Sequence, residues 1–215
     1  MSGKRKTPHA LPAEAFSADG FIIDQRKTAA VPYGIKNSDY NGCGWIAAFN
    51  LLRICGCDEG GWREVAIGMR HSTLLFGLLG TNPLTLVSFL RRRLKAFLEN
   101  SGGRLKLKWG LRLSAGRPGD GNIRAGIVMY WHGRGAHFVA FHAVGDNHGD
   151  SAPANVNVNK DEDTRFRFLN AVYGSRGVVN TLPGFLKRRA KARLHFMITI
   201  EETENHTKGE ESENA

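Results

Sequence analysis

The chain has 215 residues, of which 41% are hydrophobic, and this is enough for one sizeable core. No apolar stretch approaches the length that crosses a bilayer, and the first residues lack the apolar segment of a secretory signal. The three cysteines are odd in number and fit a reducing compartment. We therefore expect a cytoplasmic protein rather than a membrane-spanning or secreted one.

The charge is unevenly distributed, and both ends have compositions typical of disorder. The 30 Lys and Arg residues outnumber the 20 Asp and Glu residues, which gives a formal net charge of +10. Residues 201–215 hold six Glu and one Lys, so residues 1–200 carry a net charge of +15. We expect a disordered basic N-terminus over residues 1–20, a single domain over 21–200 and a disordered acidic tail over 201–215.

The first predicted helix begins at a cysteine. An Asn-Gly turn precedes Cys43, and an apolar run follows it, as far as about residue 53. A helix starting there would direct unpaired N–H groups and the positive end of its dipole at the sulfur, which would favour thiolate over thiol. The simpler interpretation is a small buried residue on an apolar helix.

Two further helices are predicted before residue 104. Residues 61–66 have helical character, and Asn82-Pro83 fits an N-cap and first helical position for a helix that runs to about Asn100. The type of the apolar stretch 71–80 is left open by its pattern. Cys55 and Cys57 are too close together for the usual zinc site, so we interpret them as packing and C-cap residues. No metal or cofactor is predicted.

From residue 104 onward the pattern changes to strands. A polar loop over 146–163 separates two of them. Helices followed by an antiparallel sheet indicate an α+β fold. The predicted strands cover residues 104–111, 125–132, 136–144, 165–172 and 193–200, with a small helix at 183–190.

Two of these strands carry side chains that could assist a cysteine. His137 opens the second strand of a predicted hairpin, and Asn170 lies on the next strand. An imidazole can take a thiol proton, and an amide oxygen on the far ring nitrogen can hold its tautomer and orientation. His142 is five residues further along and is expected on the opposite face. His132, just before the hairpin turn, is the alternative base.

This arrangement resembles the papain-like cysteine peptidase fold and is similar to the bacteriocin leader-peptidase type of bacterial thiol peptidases. The resemblance covers roughly residues 33–198 by element order. It implies a papain-like α+β domain in which Cys43 is the nucleophile, His137 the general base and Asn170 the orienting residue. It rests on Gly42-Cys43-Gly44-Trp45 heading a helix, Ala136-His137-Phe138-Val139 heading a strand, and Phe168-Leu169-Asn170 in the next strand.

One position departs from the family pattern. Many members have a Gln six residues before the cysteine, where its amide helps to hold the oxyanion; here that residue is Asn37. Asn37 and the Cys43 backbone N–H could form the oxyanion hole, or Asn37 could simply form a turn. Trp45 could line the site or belong to the core. The expected substrate-contacting residues are Tyr40, Gly42, Gly44, Trp45 and Ala136.

The sequence therefore predicts a thiol hydrolase that cleaves a peptide or amide bond in a peptide or protein substrate through an acyl-enzyme. The alternative is a catalytically silent papain-like binding module that recognises an anionic partner through its basic surface. Two of the three basic clusters fit the C-terminal ends of helices, and no aromatic interleaving accompanies them, so a solvated surface is favoured over nucleic-acid binding. These clusters are residues 91–95, 104–108 and 187–193.

Overall fold

The structure is a computed structural model. It describes residues 10–74, 80–113, 122–133, 135–144, 164–172, 174–175 and 177–203. The predicted loop at 146–163 and part of the ambiguous stretch at 71–80 lie outside these residues.

Six α-helices lie within the described residues. Two of them begin at a side-chain cap followed by proline: the Asn82 side chain accepts a hydrogen bond from the Leu84 N–H at 2.9 Å, and the Thr181 hydroxyl accepts one from the Gly184 N–H at 3.2 Å. Two short 3-10 helices, η1 (Ala13–Ala15) and η2 (Gln25–Thr28), precede them. The α-helices span Ser38–Asn41 (α1), Cys43–Ile54 (α2), Gly61–Met69 (α3), Pro83–Arg93 (α4), Lys95–Asn100 (α5) and Leu182–Arg189 (α6).

The prediction of one long helix from residue 82 to residue 100 is wrong in one respect, because the structure divides this segment into two helices. Leu94, with φ −90° and ψ 0°, ends α4 and precedes α5. The Leu94 side chain is fully buried. Apolar residues continue at helical spacing across the break, so the periodicity alone carries no sign of it.

The strands form a small hairpin and one large antiparallel sheet. In the large sheet the strand order is β3-β8-β4-β5-β6-β7, so the last described strand lies between two earlier ones. Strand β7 was not predicted. The hairpin consists of Pro32–Tyr33 (β1) and Lys36–Asn37 (β2); the sheet consists of Leu105–Leu113 (β3), Ile123–Trp131 (β4), Ala136–Ala143 (β5), Arg165–Leu169 (β6), Val178–Thr181 (β7) and Leu194–Glu202 (β8).

Both faces of the sheet are covered, and side chains alternate between them along each strand. On one face, Phe138 of β5 belongs to a core shared with α2, α3 and α4. On the other face, Tyr130 of β4 belongs to a second core with α6, in which the rings of Phe168 and Phe185 stack at 3.8 Å. Strand β5 therefore presents neighbouring residues to two different layers.

Parts of both expected disordered ends are folded. Ala15 is fully buried, and Phe16 pairs with Ile22 in an isolated antiparallel bridge. Residues 10–20 are therefore folded, which corrects the disorder expected for them. At the other end β8 continues to Glu202, and buried Glu201 forms ion pairs with Lys108 at 2.8 Å and Arg112 at 2.7 Å. Composition missed Glu201 because its ion-pair partners Lys108 and Arg112 are distant in sequence.

The predicted α+β class is confirmed: helices cover an antiparallel six-stranded sheet. Within the described ranges, no helix has the length and apolar character needed to cross a membrane.

Candidate functional site

Cys43 is the first residue of α2, as predicted, and its side chain is buried, with 6% exposure. Gly42 precedes it as the N-cap and offers no side chain to the helix end. The backbone N–H groups of Phe138 and Gly44 are directed at the sulfur. Contact with Phe138 brings strand β5, and with it the residue that follows His137, directly against the helix start.

The helix start was expected to favour a thiolate at Cys43, but the neutral thiol is the resting form. Burial raises the pKa of Cys43 to about 11, although the surrounding N–H groups act in the opposite direction. Desolvation of a thiolate thus outweighs the stabilisation that a helix N-terminus supplies. At neutral pH the resting side chain is a thiol, so a reaction at this sulfur requires a base to remove its proton.

His137 lies near the start of β5 and is buried. Its Nε2 lies 3.1 Å from the backbone carbonyl oxygen of Asn170. A carbonyl oxygen can only accept, so this hydrogen bond requires a proton on Nε2 and makes Nδ1 the basic nitrogen of the neutral ring. Burial lowers the pKa of His137 to about 4, which keeps the ring neutral at physiological pH.

Two aromatic rings on β4 and its turn surround His137. The ring centroids of Tyr130 and His132 lie 5.8 Å and 5.9 Å from that of His137, both in edge-to-face orientation. His132 is therefore beside the predicted base. His142 stacks on Phe21 at 6.4 Å, away from this group, in agreement with its predicted placement on the other face.

Asn170 contacts His137 through its main chain, which corrects the role predicted for its side chain. Its φ of +59° is in the left-handed region, which Asn tolerates better than most residues. This conformation accompanies the hydrogen bond from its carbonyl to the imidazole. The side-chain oxygen instead accepts a hydrogen bond from the Gln25 N–H at 3.2 Å.

Gln25 is a residue that the sequence analysis missed. Its side-chain Nε2 donates to the carbonyl of Asp39 in α1 at 3.1 Å, and its backbone N–H holds Asn170. Gln25 thus links the turn that fixes His137 to the short helix that leads into Cys43. No motif marks it, because a glutamine in a one-turn 3-10 helix has no recognisable pattern.

The structure places Asn37 and Tyr40 at the surface. Asn37 is exposed at the N-cap of α1 and its side chain makes no capping hydrogen bond. Tyr40 is 64% exposed, and the Lys36 ammonium lies 3.6 Å from its ring centroid. Both residues belong to the segment that enters Cys43, and Tyr40 is available to an incoming ligand.

Trp45 belongs to the core, which decides between the two interpretations given for it. It is fully buried, its Nε1 donates to the Ser38 hydroxyl at 2.9 Å, and its ring lies 6.3 Å from that of Trp62. Ala136, by contrast, is exposed at the first position of β5.

Tyr33 and Thr81 form a second group that was not predicted. Their hydroxyls are 2.9 Å apart, and Thr81 packs against Gly44. Burial raises the pKa of Tyr33 above its usual range, and a charged Cys43 would raise it further. These contacts place a buried hydroxyl pair beside the first turn of α2.

Replacing Gly44 with a larger residue should destabilise the protein because of this packing. A methyl group there would overlap Oγ1 of Thr81, so we expect Gly44→Ala to lower the free energy of unfolding by about 1–3 kcal/mol. In an unobstructed helix the same change would stabilise by up to about 1 kcal/mol. Urea unfolding measures the difference. Gly110→Ala, in β3 with no atom within 4 Å of the added carbon, is the matched control; equal effects of the two changes would contradict the packing.

Cys55 and Cys57 lie where α2 ends. Cys57 Sγ donates to the Cys55 carbonyl at 3.4 Å. Among the described residues, no group of three or more His, Cys, Asp or Glu side chains is arranged to hold a metal ion.

The chain matches no protein-family model, no curated protein sequence and no solved structure.

Proposed function

We propose that the protein is a papain-like thiol hydrolase that cleaves a peptide or amide bond, with Cys43 as the nucleophile and His137 as the base. The main support is the contact between the Cys43 sulfur and the Phe138 N–H, because His137 is the residue before Phe138 in β5. The His137 ring packs against Tyr130, so its side chain would have to turn toward the sulfur for the reaction. A further support is the hydrogen bond from His137 to the Asn170 carbonyl, which leaves Nδ1 basic.

The reaction would proceed through a thioester. Nδ1 of His137 removes the Cys43 proton as the sulfur attacks the substrate carbonyl, and the tetrahedral oxyanion forms near the N–H groups at the start of α2. The C–N bond then breaks, and the amine leaves with the proton held by His137. Water, deprotonated by the same nitrogen, attacks the thioester and releases the acid and the thiol.

Asn170 acts in this scheme through its carbonyl oxygen and not through its amide. The Asn37 side chain is a secondary oxyanion donor that would have to turn inward from its exposed position, so the backbone N–H groups of Cys43 and Gly44 are the main donors.

The silent binding module is the second candidate. The raised pKa of Cys43 and the lowered pKa of His137, both caused by burial, are also expected of two packed side chains that do no chemistry. The exposed basic residues at the end of α6 would then recognise an anionic partner. The two candidates differ in whether Cys43 becomes acylated.

Acylation by an activated ester tests the proposal directly. The full chain, mixed with p-nitrophenyl acetate, should release one equivalent of p-nitrophenol in a rapid burst and carry the acetyl group on the peptide that contains Cys43. Cys55 and Cys57 serve as internal controls within the same digest, and Cys43→Ala should show no burst. Acetylation that is equal on all three cysteines, or greater on Cys55 or Cys57, would contradict a thiol hydrolase.

A further inference from the structure

Two buried hydroxyl groups beside the first turn of α2 leave one of their protons unused. The hydroxyls of Tyr33 and Thr81 are 2.9 Å apart, and the two residues are 1% and 3% exposed. Each hydroxyl carries one proton, and the hydrogen bond between them uses one of the two. Within the part of the chain that the structure describes, neither hydroxyl has a further hydrogen-bond partner. A buried O–H donor without an acceptor is rare in folded proteins and needs an explanation.

The unused proton belongs to Thr81. A phenol is a stronger acid than an aliphatic alcohol, so Tyr33 is the better donor of the pair and Thr81 the better acceptor. Burial raises the pKa of Tyr33 above its usual range, so the phenol keeps its proton at neutral pH. The Tyr33 O–H therefore donates to Oγ1 of Thr81, and the Thr81 proton remains available to another acceptor.

The Thr81 side chain lies on the first turn of α2, next to the candidate nucleophile. A methyl group on Gly44 would overlap Oγ1 of Thr81, so this oxygen lies against the Gly44 main chain. Gly44 follows Cys43 directly, and the Gly44 N–H is one of the donors directed at the sulfur. The Thr81 hydroxyl is therefore beside the N–H groups that the proposed reaction uses.

The main chain holds Thr81 in place on both sides. Before it, the Gly80 carbonyl accepts a hydrogen bond from the Leu74 N–H at 2.8 Å. After it, the Asn82 N–H donates to the Ser72 carbonyl at 2.7 Å. A donor that is fixed before the reaction needs no reorganisation when negative charge develops, and this is the property that an oxyanion hole requires.

We propose that the Thr81 hydroxyl is the side-chain donor of the oxyanion hole at Cys43, and that Tyr33 is the positioning residue that orients it. This rests on the proposed function, since it assigns further residues to the same site. Asn37, which the sequence suggested as this donor, is exposed. As the sulfur attacks the carbonyl carbon, the C=O electron pair moves to the oxygen, and this anion accepts the Thr81 hydrogen bond. The bond to the leaving group then breaks, the carbonyl forms again, and Thr81 keeps its proton.

Two reactions of the same sulfur separate this role from a structural one. Acylation by p-nitrophenyl acetate passes through an oxyanion, whereas alkylation by iodoacetamide displaces iodide and forms none. In the full chain, Thr81→Val keeps the shape of the side chain without its hydroxyl, and it should slow acylation of Cys43 about 10²-fold. Its alkylation rate should stay within about twofold of the parent rate, because the thiolate is unchanged. Tyr33→Phe should slow acylation by about tenfold, because Thr81 keeps its hydroxyl but loses its orientation.

A rescue variant and a matched control complete the test. Thr81→Ser restores the hydroxyl and should acylate Cys43 within about tenfold of the parent rate. Thr199→Val removes another buried threonine hydroxyl, which donates to Glu201 at 2.6 Å. Thr199 alternates along β8 with Ile198 and so lies on the sheet face opposite α2. Its loss should change neither the acylation rate nor the alkylation rate.

Three results would overturn this inference alone. They are equal acylation rates in the parent protein and Thr81→Val, alkylation slowed as much as acylation in Thr81→Val, and Thr81→Ser as slow as Thr81→Val. Should Thr81→Val fail to fold, an unchanged acylation rate in Tyr33→Phe would overturn it instead. A parent protein in which the ester leaves Cys43 unmodified would contradict the proposed function, and the role of Thr81 with it.

Discussion

Replacing His137 with glutamine should slow acylation of Cys43 by about 10²- to 10⁴-fold at pH 7. The Cys43 thiol has a pKa of about 11, so about one molecule in 10⁴ is ionised at pH 7 without help from a base. The glutamine amide can still donate to the Asn170 carbonyl, but it cannot accept a proton. Stopped-flow release of p-nitrophenol from p-nitrophenyl acetate measures the rate.

The pH profile separates general-base catalysis from simple ionisation. With His137 present, the rate should rise as the ring loses its proton near its pKa of about 4 and then remain level to pH 9. In His137→Gln the rate should increase about tenfold for each pH unit up to about 11, because only the thiolate then reacts. Identical profiles in the two proteins would show that His137 takes no proton from Cys43.

Acid should destabilise the protein through the same histidine. The pKa of His137 is about 4 in the folded protein, against a usual value of 6.5, because burial opposes its charge. Above pH 6.5 both the folded and the unfolded states are neutral at this residue, and its contribution to stability is complete. Between pH 6.5 and 4 only the unfolded state binds the proton, so up to about 3 kcal/mol is lost over that range.

Urea unfolding at pH 7 and pH 4.5 measures this loss. In His137→Gln the decrease in unfolding free energy between the two pH values should be smaller than in the parent protein. Burial also lowers the pKa of His142, so His142→Gln should reduce the decrease as well. That variant should acylate Cys43 normally, because His142 lies with Phe21 and away from His137. An unchanged decrease in His137→Gln would contradict a buried neutral ring at residue 137.

Local sequence signals predict much of the fold. The Asn82-Pro83 start of α4 was predictable because its capping hydrogen bond involves residues two apart. The hairpin of β4 and β5 was predictable from two apolar runs on either side of a glycine turn. Strand β7 was missed because it has four residues and, among the described strands, pairs only with β6, so it depends on a partner that its own sequence does not specify.

The site residues that lie at the start of a helix or a strand were predictable from the sequence. Cys43 starts a helix and His137 lies at the second position of a strand, and such positions have visible turn signals before them. The contribution of Asn170 was assigned to the wrong atom because every residue has a carbonyl, and only the left-handed conformation of Asn170 accompanies its use here. Gln25 was invisible because its hydrogen-bond partner Asn170 is 145 residues away.

The central position of β8 has a consequence for how the protein is made. Among the described strands, β3 pairs only with β8, and the residues in register lie far apart in sequence, from 97 residues for Leu105 and Glu202 (202 − 105) to 81 for Leu113 and Leu194 (194 − 113). During synthesis β3 and β4 must therefore leave the ribosome long before the strand that joins them. Closure of so long a loop is slow, and unpaired strand edges attract other chains meanwhile. Pairing of β3 and β4 therefore waits for residues 194–202, and a chain that stops before residue 194 would leave β3 and the facing edge of β4 without the strand that joins them.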